Sequence, residues 1–361
     1  GVSFGAVHCT NEVRGETDKA TNSVAIAQWM REDIGVQAIV GPSSSSVVQA
    51  VFNALEGSGT LLISPAATSP SLTDLDGLRA TDDAPGLLWR TAPPDSLQGQ
   101  VIADDLIGRD VLNAGVIYQD GAYGSGLANV FKDRFESQDG AASLYLFNDN
   151  NLSTAVVNAV QGGHEELLFF SSDVNDSSAF INALAALDSY PMTPLFLADT
   201  AKSSDMLAAT GDAAALYPLI RGTAPAISSG SVYDFFTAAY AAEFSGDVSD
   251  FNYTAHAFDA AWLIAYGTSW ALSREGEYSG INVARGLRRL SDGTEVRVGA
   301  ESWSTAQATL ESGGTINVQG ASGELNFDDV TEETTAPIDI WVVSEDGEDF
   351  DIIYTVSFSP P

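Results

Sequence analysis

The stretch Gln37–Val51 reads Q-A-I-V-G-P-S-S-S-S-V-V-Q-A-V, and it sets the architecture. A short apolar run, Ala38-Ile39-Val40, has the length and composition of a buried strand. Gly41-Pro42 stops it, four serines follow, and from Val47 the apolar spacing becomes helical. Strand, tight loop, helix is half of a βαβ unit. In an open α/β sheet, ligands bind beyond the carboxyl ends of such strands. A helix N-terminus there offers unpaired N–H groups and a partial positive charge, which stabilise an anion by about 0.3–2 kcal/mol. A helix N-cap needs one serine and contributes about 1 kcal/mol. That accounts for one hydroxyl of the four, so the run is read as a carboxylate-binding tip.

The same alternation continues outward. Candidate strands are Val2–Val7, Val36–Val40, Thr60–Ser64, Gly115–Tyr118, Ser143–Phe147, Leu167–Ser171 and Leu195–Ala198. Helical spacing falls between them at Thr17–Arg31, Val47–Leu55, Gly99–Ile107, Gly124–Phe135 and Ser177–Leu187. Strands alternating with helices predict a parallel α/β fold. Leu167-Leu168-Phe169-Phe170 is unbroken apolar sequence, as expected of a strand covered on both faces. Thr254–Leu272 predicts a long core helix. In the tail, Glu324–Phe327, Ile338–Ser344 and Phe350–Phe358 read as strands, with Asp346-Gly347 as a hairpin turn. Thr91-Ala92-Pro93-Pro94, Gly222-Thr223-Ala224-Pro225 and Gly313–Gly323 read as crossovers between two units, which suits a chain of 361 residues.

Composition narrows the function. Net charge is −34, from 49 acidic and 15 basic residues, and only Lys19, Lys132 and Lys202 are lysines. Nucleic acid is a poor partner for such a surface. The excess acid repels itself and is tolerated best where salt screens it, as in a saline habitat. No apolar run reaches the roughly 18 residues of a membrane span. The start at Gly1-Val2-Ser3-Phe4 is expected to follow a removed targeting segment, such as a lipoprotein signal. Cys9 is the single cysteine, so no intrachain disulfide forms.

Catalytic signatures are thin. The histidines are His8, His164 and His256, and His164-Glu165-Glu166 lacks the second histidine of a zinc-protease helix. No phosphate-binding or dinucleotide loop is present, so no enzyme, cofactor or metal site is expected. Asp346-Gly347-Glu348-Asp349 reads as a solvated turn rather than a calcium loop. Asn151-Leu152-Ser153, Asn175-Asp176-Ser177 and Asn252-Tyr253-Thr254 match the glycosylation acceptor pattern, which is too short to decide anything.

The next strand supplies the second half of the site. Leu61-Leu62-Ile63 ends in Ser64-Pro65-Ala66-Ala67-Thr68-Ser69-Pro70, a loop bracketed by prolines that can present a free carbonyl and a hydroxyl together. Ser45 and Thr68 are expected to donate to a ligand carboxylate, and the Ala66 carbonyl to accept from an ammonium. On this reading Thr68→Ala weakens binding by about 1–3 kcal/mol and leaves folding nearly intact.

G-P-S-S-S-S-V-V-Q at Gly41–Gln49 followed by I-S-P-A-A-T-S-P-S-L-T at Ile63–Thr73 resembles the type I periplasmic binding proteins. In particular it is similar to the leucine/isoleucine/valine-binding receptors of ABC transporters. Trp89–Asp95, Ile117–Gly126 and Ala257–Ala261 match in order. The resemblance implies a two-lobed clamshell, each lobe a mostly parallel sheet flanked by helices, without the family's first strand–helix unit. It implies one lobe from 1–93 and 226–319 and another from 94–225 and 324–361, with crossovers near 91–95, 222–226 and 319–324. It implies that Ser44, Ser45, Ala66, Ala67 and Thr68 contact an amino acid-like zwitterion, with Tyr123 reaching it from the second lobe. The second-lobe acid matches Asp199, with Thr200 the competing position. The wall position falls near Asp173 or Val174, and Asp173 either meets an extra polar group of the ligand or caps the helix at Ser177. The function implied is an extracytoplasmic receptor that delivers its ligand to a membrane permease. The alternative is a sensing domain of the same fold acting through a protein partner.

Overall fold

The computed structural model describes residues 5–11, 19–77, 80–148, 150–226, 229–245, 248 and 252–358. Strands β1 (Ala38–Val40), β2 (Leu61–Ser64) and β3 (Leu88–Arg90) form a parallel sheet in that order. Helices α1 (Lys19–Trp29) and α2 (Ser45–Ala54) pack against each other beside it. The second sheet has seven strands. It is built from β4 (Asn113–Gln119), β5 (Ala141–Phe147), β6 (Glu166–Phe170), β7 (Leu195–Leu197), β8 (Ile220–Pro225), β11 (Ile338–Val343) and β12 (Phe350–Val356), in the order β12-β11-β8-β7-β6-β4-β5. The five strands from β8 to β5 run parallel, and β11 is antiparallel to both neighbours. Helices α3 (Asp95–Gly108), α4 (Ala122–Glu136), α5 (Leu152–Gln161), α6 (Val174–Ala185) and α7 (Ser204–Ala209) supply the crossovers.

Between β8 and β11 the chain returns to the first sheet. It forms α8 (Ser231–Glu243), α9 (Thr254–Arg274), α10 (Gly280–Leu287), β9 (Thr294–Arg297), α11 (Trp303–Glu311) and β10 (Ile316–Gln319). Strands β9 and β10 pair with each other in parallel. The long helix α9 lies at the centre of a core that joins Leu61, Ile63 and Trp89 to Leu263, Tyr266 and Ile316. The chain therefore passes between the two sheet systems at 91–94, 226–230 and 320–337. No helix among the described residues is long and apolar enough to cross a membrane.

The run Leu167–Phe170 behaves as its composition predicts. Leu167 and Phe169 enter the core on one face of the seven-stranded sheet, and Leu168 and Phe170 enter the core on the other. Burial of each such side chain contributes about 1.5–3 kcal/mol.

Two expected strands are corrected. Gly5, Ala6 and Val7 are exposed and carry no strand, with no strand partner among the described residues, while residues 2–4 lie outside the described residues. Glu324–Phe327 makes only the isolated bridges Gln319–Glu324 and Phe327–Thr334. The Asp328 carboxylate accepts from the backbone N–H groups of Val330 and Thr331, curling the chain immediately after that segment. The hairpin turn at Asp346-Gly347 is present, with Gly347 at φ 75° and Asp346 Oδ1 accepting from Glu348 N.

Candidate functional site

The two strand tips read from sequence are neighbours. Gly41 N donates to Ile63 O at 2.8 Å. Ser64 Oγ donates to Pro42 O at 2.6 Å and accepts from Ala67 N at 3.1 Å, tying one tip to the other. Gly41 sits at φ 101°, a conformation that favours glycine and turns the chain sharply off β1. The four serines then divide their work. Ser44 occupies the N-cap position of α2 but makes no side-chain cap hydrogen bond. Ser45 Oγ accepts from Ser69 N at 3.2 Å, and Ser46 Oγ accepts from Ala122 N at 3.0 Å.

A cavity of about 890 Å³ opens at these tips. Gly41 to Ser45, Pro65 and Ala66 form its floor. Tyr123, Ser172, Asp199, Thr200, Ser203 and Asp205 line it from the seven-stranded sheet. Asn252, Tyr253, Thr254 and Ala257 line it from the start of α9. It continues along β1, an edge strand among the described residues, where Ile26, Ala27, Met30, Val47 and Val51 make an apolar extension beside His8 to Asn11.

Of the residues singled out from sequence, Ser44, Ser45, Ala66, Tyr123 and Asp199 line this cavity, as does Thr200. Three others do not. Ala67 is fully buried among Val48, Leu62 and Leu72. Thr68 is buried, and its Oγ1 donates to Asp95 Oδ2 at 3.0 Å. Asp173 is the N-cap of α6, accepting from Asn175 N at 2.9 Å and Asn175 Nδ2 at 2.8 Å. A short acidic side chain two residues before a free helix N–H is committed locally, and Asp173 is not among the residues that line the cavity.

Asp199 is the hub of the far wall. The hydroxyl of Tyr123 donates to Oδ1 and that of Tyr253 donates to Oδ2, the latter at 2.6 Å. Gln98 Nε2 also donates to Oδ1, at 3.4 Å, and to Thr223 Oγ1, at 3.0 Å. Burial, reinforced by the Asp199 charge, pushes both phenols well above their ordinary range, so each remains a donor. Tyr253 holds φ 66° at the N-cap of α9, where a bulky side chain is strained by about 1–2 kcal/mol. Beneath the site lies Asp95, fully buried, whose Oδ1 makes no hydrogen bond within the protein. Burial first, then Asp199, pushes its carboxyl well above the usual range.

Sequence reasoning missed Asp95, Tyr253 and Arg90. Arg90 is buried, and Nη1 donates to Ala67 O at 3.3 Å and Ser69 O at 2.9 Å, while Nη2 reaches Thr73 Oγ1 at 3.1 Å and the Glu333 carboxylate. Burial lowers its pKa to about 10, which still leaves it charged at neutral pH. It props the 67–73 loop by its carbonyls. Arg90 and Asp95 both stand in the Trp89–Asp95 stretch, and Tyr253 stands in a segment that matched only a glycosylation pattern.

Residues 7–346 match the model of the receptor family ligand binding region. The chain belongs to that family. The resemblance read at Gly41–Gln49 and Ile63–Thr73 agrees with that family, and solved structures share the fold. The leucine binding protein LivK of Thermotoga maritima superposes with a TM-score of 0.71 at 18% identity, covering 95% of this chain and 85% of that one. A solute binding protein of an ABC transporter from Rhodopseudomonas palustris, in complex with 3,4-dihydroxy benzoic acid, gives 0.69 at 16% identity, covering 94% and 85%. These likenesses establish the type I periplasmic binding fold. The chemotactic signal transduction system substrate-binding protein BasB of Halobacterium salinarum is 25% identical over 333 residues, 91% of this chain and 74% of its own length. Family and fold alike are those of binding proteins.

Proposed function

We propose that this chain is an extracytoplasmic solute receptor that closes on an amino acid or related small carboxylate and delivers it to an ABC-type permease. One observation carries the reading: the hydroxyl-rich tip at Ser44 and Ser45, with the adjoining Ala66, faces Tyr123 and Asp199 across a single cavity. The first group offers donors for a carboxylate, and Asp199 offers an acceptor for an ammonium. The lobes are residues 1–93 with 226–319 and 94–225 with 324–361, and closure is a hinge motion about the three passages between them. Thr68 and Ala67 serve the site from outside its lining, and Asp173 serves α6 as its cap. Arg90, Asp95 and Tyr253 support it.

A second reading, ligand sensing through a protein partner, is favoured by the similarity to BasB, whose name places that protein in a chemotactic signalling system. Both readings need the same first step. Titration calorimetry against leucine, isoleucine, lysine, glutamate and 3,4-dihydroxybenzoate tests it. Heat of binding and a thermal shift with one member are expected. No heat and no shift with any of them would overturn the reading.

A further inference from the structure

The serine run does more than face the cavity. Ser46 and Ser69 lie outside the lining, yet both hold the first residue of α4. Ser46 Oγ accepts from Ala122 N at 3.0 Å, and Ser69 Oγ donates to Ala122 O at 2.7 Å. Ser46 and Ser69 follow β1 and β2 of the three-stranded sheet, whereas α4 belongs to the seven-stranded one. One residue of one sheet system is thus gripped on both its backbone donor and its backbone acceptor by the other.

We propose that Ser46 and Ser69 form a closure latch. They set the fraction of molecules in which the two strand-tip regions are joined, and they do so without touching the ligand. The proposal rests on the closing-receptor reading for its use, though not for its test.

Three features support it. The Ala122 N–H is one of the helix-terminal donors that no residue of α4 can satisfy, so a partner from elsewhere is required or water takes its place. The latch is wired to the binding wall at both ends: Ser69 N donates to Ser45 Oγ at 3.2 Å, and Ser45 lines the cavity. On the other side Ala122 precedes Tyr123, which binds Asp199. Finally, glycines stand where the two bodies touch. A Cβ on Gly121, at φ 131°, would lie 2.9 Å from Ser46 Oγ. A Cβ on Gly126 would lie 2.8 Å from Ser69 Oγ and 2.9 Å from Pro70 Cδ.

Neutral hydroxyl hydrogen bonds suit a latch that must release. Each shifts an equilibrium by about two- to twelve-fold, enough to bias closure and too little to lock it.

The test uses the full chain without ligand, by amide hydrogen exchange of peptides covering 121–126 and by small-angle scattering. The double variant Ser46→Ala/Ser69→Ala is expected to raise exchange at Ala122 about tenfold and to enlarge the radius of gyration. Gly126→Ala is the second variant. Alanine favours the helix over glycine, so folding is retained while the added methyl pushes α4 off the Ser69-Pro70 loop. Its exchange and radius are expected to change in the same direction. Parent-like exchange and radius in both variants would overturn the latch, as would an unprotected Ala122 amide in the parent. A blank ligand panel would strike the receptor reading and leave these measurements standing.

Discussion

Thr68 and Asp95 are joined twice. Asp95 N donates to Thr68 O at 2.7 Å, and Thr68 Oγ1 donates to Asp95 Oδ2 at 3.0 Å. The pair fastens the loop after β2 to the first turn of α3, where the chain leaves one sheet for the other. Asp95 Oδ1 makes no hydrogen bond within the protein, so the threonine is the carboxyl's side-chain support. Thr68→Ala is therefore expected to destabilise folding by about 1–3 kcal/mol, the cost of stripping a partner from a buried polar group. Urea denaturation of parent and variant measures it. Equal midpoints and slopes would show that the pair is dispensable. The sequence pattern alone suggested the opposite balance, with binding lost and folding kept.

What the sequence revealed and what it hid separate by distance along the chain. Leu167–Phe170 and the helix at Thr254 were legible because their signal is a local concentration of apolar residues. The tips at Gly41 and Ser64 were legible because glycine, proline and hydroxyls mark a strand end directly. The cap at Asp173 was one of two local readings, and its partner lies two residues away. Thr68 and Asp95 stand 27 residues apart, Arg90 and Ser69 stand 21 apart, and Tyr253 and Asp199 stand 54 apart. No spacing rule links such partners before the sheets assemble. The strand expected at Val2–Val7 failed over Gly5–Val7 for a related reason. An apolar run makes a strand only where another strand accepts its backbone, and Gly5–Val7 has none among the described residues.

The Asp199 charge separates two ligand classes. Its carboxylate holds both Tyr123 and Tyr253 and faces the cavity. Asp199→Asn is expected to weaken an amino acid with a free ammonium by roughly 1.5–3 kcal/mol, about ten- to 150-fold. An aromatic carboxylate without an ammonium should keep its affinity or gain some, because a negative charge has been removed. Calorimetry with leucine and with 3,4-dihydroxybenzoate on both proteins makes the comparison. Equal losses for the two would remove Asp199 from ammonium recognition.

His256 predicts an acid-side loss of stability. It is buried, its Nδ1 makes no hydrogen bond within the protein, and burial lowers its pKa from 6.5 to about 4. Between those values the unfolded chain binds the proton and the folded chain does not. The stabilising effect of keeping it neutral is present above pH 6.5 and is lost as pH falls toward 4, by about 3 kcal/mol. Asp259 acts the other way. Burial raises its pKa to about 6, so it adds stability as pH falls through that value. A His256→Asn variant isolates the histidine. Relative to the variant, the parent should lose about 3 kcal/mol between pH 6.5 and pH 4 in urea melts. A constant difference across that range would contradict a buried neutral imidazole.

The charge of −34 makes salt a stabiliser. With 49 acidic and 15 basic residues, attractive contacts are few beside the repulsions. Several of the attractive ones are buried or partly buried, such as Arg288 with Glu332 and Arg109 with Glu166, where salt screens more weakly. Exposed pairs such as Arg134 with Asp104 contribute little to begin with. Raising ionic strength from 0.1 to 1 M shortens the Debye length from about 10 to about 3 Å. That removes mainly repulsion, which is stronger in the compact folded chain than in the expanded one. The melting temperature should rise with added sodium chloride, and potassium chloride should reproduce the rise because screening ignores the identity of a monovalent cation. Differential scanning calorimetry across that range decides it, and a midpoint that stays level or falls would mean that local ion pairs outweigh the net charge.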